Sequence, residues 1–245
     1  MLALSFFLVW WWEPQPSFAL GMILVASCPG GNVSNFMSHL CGGNTALSVS
    51  LTAIATLLAV LMTPLNLQFW GSLYEPSAAL LTDVEINLWE MVRLVALLLG
   101  LPLIAGMVLG HLKPKLAKRM AKIFKIVSLL FFVFLIFVAL YNNRDIFVDY
   151  VGLVFTLVFF HNISAFLLGY TSGRVMRLPF RDVKSITIET GIQNSGLGLL
   201  LIFTFFEGLG GMALLAAFWG IWHLVSGLAL SALWGGIPVR KESVL

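Results

Sequence analysis

The sequence predicts an all-α, polytopic membrane protein of about eight spans, two of them broken near their centres. Hydrophobic residues make up 60% of the 245 residues and charged residues only 10%. The mean hydropathy of +0.98 is also well outside the range of soluble globular domains. Residues 28–35 and 189–196 place polar side chains and glycines inside otherwise apolar stretches. Because unsatisfied polar groups in hydrocarbon cost several kcal/mol each, both stretches are predicted functional sites.

Charge and cysteine content argue against several other classes. The net charge is only +3, and the basic residues fall in loops between spans, which indicates topology rather than nucleic-acid binding. Cys28 and Cys41 lie in apolar or small-residue surroundings, without the further cysteines of a disulfide framework or a ligand set for zinc. Both are predicted to be packing residues.

The first three spans contain one of the breaks. Residues 1–12 are apolar but shorter than the roughly 20 residues that cross a bilayer, so we expect them to be the end of a span that begins earlier. The second span covers residues 17–41, and the Pro-Gly-Gly sequence at residues 29–31 disfavours a continuous helix there. The third span covers residues 45–70.

The third span carries a stripe of hydroxyl groups. Thr45, Ser48, Thr52 and Thr56 recur at steps of three and four residues, which places them on one face of a helix. Hydroxyl side chains also serve ordinary packing between membrane helices. Taken alone, the stripe leaves packing and ligand binding both open.

Five further spans follow, and they are of two kinds. The first two, over residues 88–110 and 123–141, have almost nothing polar at their centres. The last three carry polar side chains near their middles. They cover residues 149–171, with His161, Asn162 and Ser164, residues 184–206, with the second polar stretch, and residues 210–234, with His223 and Ser226. Histidines within spans are as often structural hydrogen-bond partners as functional groups.

Loop charges predict the orientation. All but two of the 14 basic residues fall after spans four, six and eight, and therefore on one side of the membrane. The positive-inside rule makes that side cytoplasmic, and the C-terminal tail, residues 237–245, lies on it. The residues concerned are Lys113, Lys115, Lys118, Arg119, Lys122, Lys125, Arg174, Arg177, Arg181, Lys184, Arg240 and Lys241.

The order of plain and polar spans predicts an internal repeat. Two plain spans followed by three polar-bearing spans make up the second half of the chain, and spans one to three fit the polar part of a first copy. Each copy of the repeat has five spans. Because five is an odd number, corresponding spans of the two copies cross the membrane in opposite directions, which is the inverted arrangement of secondary transporters. A plain pair would then precede residue 1, so we expect a chain of about eight spans from a ten-span protein.

Four motifs together resemble the bile acid:sodium symporter family over nearly the whole chain. They are Cys-Pro-Gly-Gly-Asn-Val-Ser-Asn at residues 28–35, Leu-Ser-Val-Ser-Leu-Thr at residues 47–52, Glu-Thr-Gly-Ile-Gln-Asn-Ser-Gly at residues 189–196, and Trp222-His223. The resemblance implies a panel domain, a core domain, two broken helices that cross near two sodium sites, and alternating access driven by sodium. The core would comprise residues 1–70 and 149–236, and the panel residues 88–142.

The resemblance also implies ligands for sodium, Na+, as the coupling ion. The first ion would bind oxygens of Ser34, Asn35, Ser48, Thr52 and Glu189. The second would bind Glu189, Gln193 and the backbone carbonyls of Thr190 and Ile192. These residue types suit sodium, because a hard cation takes several oxygen ligands and unwound backbone supplies carbonyls that a regular helix withholds.

Asn194 and His223 match positions that the family uses near its substrate, an organic anion. The N-terminal dipoles of the broken helices would favour that anion. The chain departs from the family pattern in two respects. The resemblance implies a glutamine from the family's third helix in the second sodium site, and residues 1–12 contain none. We also expect the first two panel helices of the family to be missing from this chain.

The predicted function is sodium-coupled symport of a bile acid or another carboxylate, with no catalytic residues, by a multi-pass protein of the plasma membrane or a bacterial inner membrane. A protonated Glu189 would suit proton coupling instead, and a truncated carrier would be inactive. A sensor or channel on the same fold is an alternative of another class, although the polar groups cluster at two breaks rather than along a pore. An enzyme is disfavoured by the lack of a catalytic histidine motif.

Overall fold

The computed structural model describes residues 1–83 and 87–235, and these are mostly α-helical. A π-helical segment, Ala96–Gly100, separates the sixth and seventh helices. The helices are α1 (Leu2–Trp12), α2 (Pro16–Ser27), α3 (Asn32–Leu40), α4 (Thr45–Leu73), α5 (Glu75–Asp83), α6 (Leu88–Val95), α7 (Leu101–Leu112), α8 (Pro114–Asn142), α9 (Arg144–Val175), α10 (Phe180–Gly191), α11 (Ser195–Phe205) and α12 (Gly210–Gly235).

The chain is a polytopic membrane protein, as predicted. Within the described residues, four helices are long and apolar enough to cross a membrane, namely Thr45–Leu73, Leu88–Leu112, Val148–Val175 and Gly210–Gly235. Shorter apolar helices cover Leu2–Trp12, Pro16–Ser27, Leu130–Asn142 and Ser195–Phe205. The count of eight spans and the inverted repeat stay predictions.

Both predicted helix breaks are present. The first separates α2 from α3 at residues 28–31, and the second separates α10 from α11 at residues 192–194. Pro29 explains the first break, since proline has no N–H to donate to the preceding turn. The second break contains no proline, and there the Asn194 side chain starts a new helix by accepting a hydrogen bond from the Leu197 N–H at 3.0 Å, as an N-cap does.

The two breaks lie side by side. Gly30 and Gln193 form an antiparallel bridge, and the Asn194 N–H donates to the Pro29 carbonyl at 2.8 Å. Backbone groups that a broken helix leaves without a partner are therefore partly satisfied by the other break. This mutual pairing is how non-helical backbone is tolerated away from water.

Helices α2, α11 and α12 form the apolar centre of the molecule. Every residue of α2 from Phe18 to Val25 is buried, and Gly21 brings α2 close to α12, because a Cβ there would lie 3.2 Å from the Met212 Cα. Helix α7 has no buried residue, whereas α6 and α8, the other helices of the two plain spans, contribute Met91 and Leu135 to the core. Cys28 and Cys41 are buried and free, as predicted.

Three features differ from the predictions. Residues 75–83, which lie between the third and fourth predicted spans, form α5, whose Leu81 packs against Gly71 of α4. The fourth span is continuous but contains the π-helical segment just before Pro102. Lys184, counted with the loop charges, is fully buried within α10, because its ammonium group finds backbone acceptors inside the molecule.

Candidate functional site

Glu189, near the end of α10, is surrounded by polar oxygens from α3 and α4. Its Oε2 accepts a hydrogen bond from Ser34 Oγ at 2.6 Å and lies 3.1 Å from Ser48 Oγ, while Oε1 accepts from Thr52 Oγ1 at 2.6 Å. Asn35 Oδ1 lies 2.8 Å from Ser48 Oγ and 3.1 Å from Thr52 Oγ1. The five residues predicted for the first sodium site thus lie together, and we call them the oxygen cluster.

The oxygen cluster has more acceptors than protons. Besides Glu189, Ser34 Oγ lies 2.7 Å from the Gly31 carbonyl, and Thr52 Oγ1 lies 3.0 Å from the Ser48 carbonyl. Each hydroxyl has a single proton to donate but lies within hydrogen-bonding distance of at least two oxygens. A cation could coordinate the oxygens that are left without a hydrogen-bond donor. Alternatively, a proton on the carboxylate would supply one more donor.

Local sequence explains how the hydroxyl groups reach the carboxylate. Ser34 lies in the first turn of α3, directly after the first break, and is fully buried. Ser48 and Thr52 are one turn apart on α4 and face the same way, with exposures of 0% and 5%. Thr56, next on the stripe, bonds to the Thr52 carbonyl at 2.7 Å and faces a cavity instead.

Two of the residues predicted for the second sodium site bond to each other. Gln193 Nε2 donates to the Thr190 carbonyl at 2.9 Å. The Ile192 side chain is fully buried, and both carboxylate oxygens of Glu189 accept hydrogen bonds within the oxygen cluster. The second site stays a prediction.

A cavity of about 530 Å³ lies beside the oxygen cluster. Its polar side comprises Asn32, Asn35, Thr52, Thr56 and Asn194. Its apolar side comes from the π-helical segment and α7, through Leu98, Leu99, Pro102, Leu103 and Met107. The lining residues that the structure describes are uncharged. Two of them, Asn35 and Thr52, also belong to the oxygen cluster.

Of the two predicted substrate residues, Asn194 lines this cavity, whereas His223 is not among the described residues that do. His223 is 4% exposed on α12. Gly220 and Gly227, on the same face of α12, pack against Ser195 and Ile192. His223 therefore lies on the face of α12 that packs on the second break, and its Nδ1 has no hydrogen-bond partner among the described residues.

Asn162, a polar residue near the middle of the sixth predicted span, supports the second break from outside the oxygen cluster. It is fully buried. Its Nδ2 donates to the Gly191 carbonyl at 2.8 Å, and its Oδ1 accepts from Ser226 Oγ at 2.6 Å. Asn162 thereby ties the end of α10 at the second break to α9 and α12. The neighbouring His161 instead pairs with Ser5 of α1 at 2.6 Å, outside the oxygen cluster.

Comparison with known proteins shows the family of the chain. A family model described as the sodium bile acid symporter family matches residues 1–150. The chain belongs to this family. The match includes the first break and the hydroxyl groups of α4, whereas Glu189 and the second break lie beyond it.

Relatives in the sodium bile acid symporter family extend the similarity along most of the chain. An uncharacterized sodium-dependent transporter of Bacillus subtilis (strain 168), YocS, is 32% identical over 225 residues, which are 92% of this chain and 67% of that protein. The probable sodium/metabolite cotransporter BASS1 of Arabidopsis thaliana, a chloroplastic protein, is 30% identical over 220 residues, 89% of this chain and 52% of the relative.

The ileal sodium/bile acid cotransporter of Homo sapiens is 29% identical over 184 residues, which are 74% of this chain and 51% of that protein. The chain thus spans about two thirds of the length of the Bacillus transporter and about half of the length of the other two relatives.

Proposed function

We propose that this chain carries the ion site and the substrate site of a sodium-coupled symporter of an organic anion, which works by alternating access. One observation carries the proposal: Asn35 and Thr52 belong to the oxygen cluster and also line the cavity. A sodium ion on the cluster would place a positive charge at the wall of a cavity with uncharged lining. The ion would thereby raise the affinity for an anion, and by linkage the anion would raise the affinity for sodium.

The two sides of the cavity favour an amphipathic carboxylate as the substrate. An apolar body fits against the leucines of the π-helical segment and Leu103 of α7. A carboxylate fits near the N-termini of α3 and α11, to which Asn32 and Asn194 belong. Helix N-termini favour negative charge. Names of relatives include a sodium/bile acid cotransporter and sodium/metabolite cotransporters, which agrees with substrates of this class.

The same proposal includes the inverted repeat and two domains. Helices α1–α4 and α9–α12 would form the core domain and α6–α8 the panel, with the C-terminus in the cytoplasm. Two breaks that pair in antiparallel fashion support the inverted arrangement. A second sodium ion near Thr190, Ile192 and Gln193 would bind Gln193 through Oε1, while Gln193 Nε2 donates to the Thr190 carbonyl.

Proton coupling is the second candidate, because a proton on Glu189 would also supply a donor that the oxygen cluster lacks. The carboxyl group is already within 2.6 Å of the hydroxyls of Ser34 and Thr52. The two candidates differ in which ion gradient drives uptake.

Uptake by proteoliposomes tests the proposal. Labelled bile acid and labelled short-chain keto acid would be offered under a sodium gradient, a proton gradient or neither, to the parent chain, Glu189→Gln, Asn35→Ala and the exposed control Ser50→Ala. We expect uptake that follows the sodium gradient in the parent and Ser50→Ala and is strongly reduced in the other two variants. Uptake that follows only the proton gradient would support the second candidate instead.

A further inference from the structure

Lys184 is a buried cation that the proposed sodium and substrate sites do not use. It lies in the second turn of α10, is fully buried, and forms no ion pair with the carboxylates that the structure describes. Lysine is rarely buried without a charged partner, because burial removes the hydration of the ammonium group. The surroundings of Lys184 must therefore replace that hydration.

Two helix ends supply the acceptors. Lys184 Nζ donates to the Cys41 carbonyl at 2.7 Å and to the Trp234 carbonyl at 3.0 Å. Cys41 follows the last residue of α3, and Trp234 lies in the last turn of α12. The position four residues after Trp234 is Pro238, which has no N–H to pair with that carbonyl. The C-terminal ends of both helices carry partial negative charge, so the ammonium group interacts favourably with the dipoles of α3 and α12.

The loop between α3 and α4 is fitted to the same region of α10. The Asn44 N–H donates to the Arg181 carbonyl at 3.1 Å, and Ser185 Oγ donates to the Asn44 carbonyl at 2.9 Å. Gly42 has a φ of 69°, which favours glycine. A Cβ at Gly43 would lie 2.6 Å from Ser185 Oγ. We call Lys184, Ser185 and Asn44, with their backbone partners, the clamp.

The clamp joins the helices that supply the oxygen cluster. Ser34 and Asn35 lie on α3, Ser48 and Thr52 on α4, and Glu189 on α10. Lys184 and Glu189 are five residues apart on one helix, a rise of about 7.5 Å at 1.5 Å per residue. The bridge between the two breaks joins α3 and α10 on the other side of Glu189. The oxygen cluster therefore lies between two sets of contacts that hold α3 against α10, namely the clamp on one side and the bridge between the two breaks on the other.

We propose that Lys184 is a positioning residue for sodium binding, which sets the separation of the cluster oxygens by holding the ends of α3 and α12 against α10. The proposal rests on the proposed sodium site. Residues that orient metal ligands from outside the ligand set commonly change metal affinity about 10- to 100-fold when they are replaced. Lys184 does this through backbone carbonyls rather than through a ligand side chain.

Sodium titration of the purified chain tests the proposal. The measured quantity is the sodium concentration that gives half of the maximal thermal stabilisation in detergent, with potassium replacing sodium at constant ionic strength. The variants are Lys184→Met, Lys184→Arg, Ser185→Ala and Glu189→Gln. The control is Thr187→Val, because the Thr187 hydroxyl is buried in the same helix but, among the described residues, bonds only to the Val183 carbonyl, at 2.7 Å.

We expect Lys184→Met to raise the half-saturating sodium concentration at least about 10-fold. Lys184→Arg should recover part of that loss, since it keeps the charge and the donors, and Ser185→Ala should shift the value in the same direction by a smaller factor. Thr187→Val should match the parent.

Several results would overturn the proposal, and they separate it from the proposed function. If Glu189→Gln abolishes the sodium response while Lys184→Met and Ser185→Ala keep the parental value, the sodium site stands and the role of Lys184 is wrong. If Lys184→Met does not fold, a parental value in Ser185→Ala overturns the clamp. If sodium does not stabilise the parent, or Glu189→Gln responds as the parent does, the sodium site itself is wrong, and the role of Lys184 falls with it.

Discussion

Ser48 and Ser50 illustrate at the residue scale how position on a helix decides what a hydroxyl can bind. Ser48 is fully buried and faces Glu189, with 3.1 Å between Oγ and Oε2. Ser50 is exposed on another face of α4, and its one partner within the described part of the chain is the Ala46 carbonyl, at 3.0 Å. The two residues have the same side chain, so their positions on α4, and not their residue type, decide which of them faces Glu189.

Replacing Ser48 by alanine should weaken sodium binding, because it removes one oxygen of the oxygen cluster. We expect the half-saturating sodium concentration in a thermal-shift titration to rise by about 10-fold or more, in line with ligand-shell substitutions at other metal sites. Ser50→Ala is the matched control and should leave the titration at its parental position. Equal shifts in the two variants would mean that Ser48 is not a ligand.

Asn162 leads to a prediction about stability. Asn162→Ala leaves the Gly191 carbonyl and Ser226 Oγ without their partner, and an unsatisfied buried polar group costs about 1–3 kcal/mol. The apparent Tm of the purified chain should fall more in Asn162→Ala than in Ser226→Ala, since Ser226→Ala keeps the bond from Asn162 Nδ2 to the Gly191 carbonyl at the second break. The reverse order would show that Asn162 does not hold the second break in place.

The sequence predicted the members of the oxygen cluster but not the residues that support it. The cluster was identified through motifs that resemble those of the family, each of them local. Lys184 and Asn162 bond to partners 143 and 29 positions away along the chain, and no periodicity or motif indicates such pairs. His223 was predicted beside the substrate, but the sequence does not tell which neighbour covers a given face of α12.

Glycine at the first break is the clearest prediction at the scale of elements. A Cβ at Gly30 would overlap Glu189 Oε1, so Gly30→Ala should push the carboxylate out of the oxygen cluster or separate the two breaks. We expect a lower apparent Tm and a loss of the sodium-dependent increase in Tm.

Gly110→Ala is the control for this substitution. Gly110 lies within α7, and a Cβ there would meet nothing within 4 Å. Alanine in an exposed helix is favoured over glycine by about 1 kcal/mol, so this variant should be as stable as the parent or slightly more stable. If Gly30→Ala behaves in the same way, the pairing of the two breaks does not control the site.

Among the elements, the breaks could be predicted while α5 and the π-helical segment could not. Proline and paired glycines indicate the first break directly. A polar stretch inside an apolar span indicates the second. Residues 75–83 mix acidic, small and apolar residues, so neither hydropathy nor charge marks them as a helix that packs on α4. The π-helical segment is uniformly apolar apart from Gly100, and no pattern separates it from the α-helix around it.

At the scale of the whole molecule, the cavity predicts that a substitution in its lining can weaken anion binding without changing sodium binding. Gly106 lines the cavity, and a Cβ there would meet nothing within 4 Å, so Gly106→Trp should fill space that the anion needs. We expect the half-saturating anion concentration in uptake assays to rise, while the sodium titration in the absence of anion stays at the parental value. Gly110→Trp, one turn further along α7 and outside the cavity lining, should change neither.

The cavity itself could not be read from the sequence. Its walls come from the two breaks, α4, the π-helical segment and α7, which are spread from residue 30 to residue 194. The membrane class and the family follow from composition and motifs, whereas a cavity follows from how helices pack. For the same reason, the sequence did not show that Asn35 and Thr52 face both the ion site and the cavity.

Direct sodium binding is the measurement that tests the central claim most closely. Purified parent chain, Glu189→Gln and Glu90→Gln would be titrated with radioactive sodium at constant ionic strength, with Glu90, exposed on α6, as the matched carboxylate. The oxygen cluster predicts saturable binding in the parent and in Glu90→Gln and its loss in Glu189→Gln. Equal binding by all three proteins, or saturable binding by none, would contradict a sodium site at Glu189.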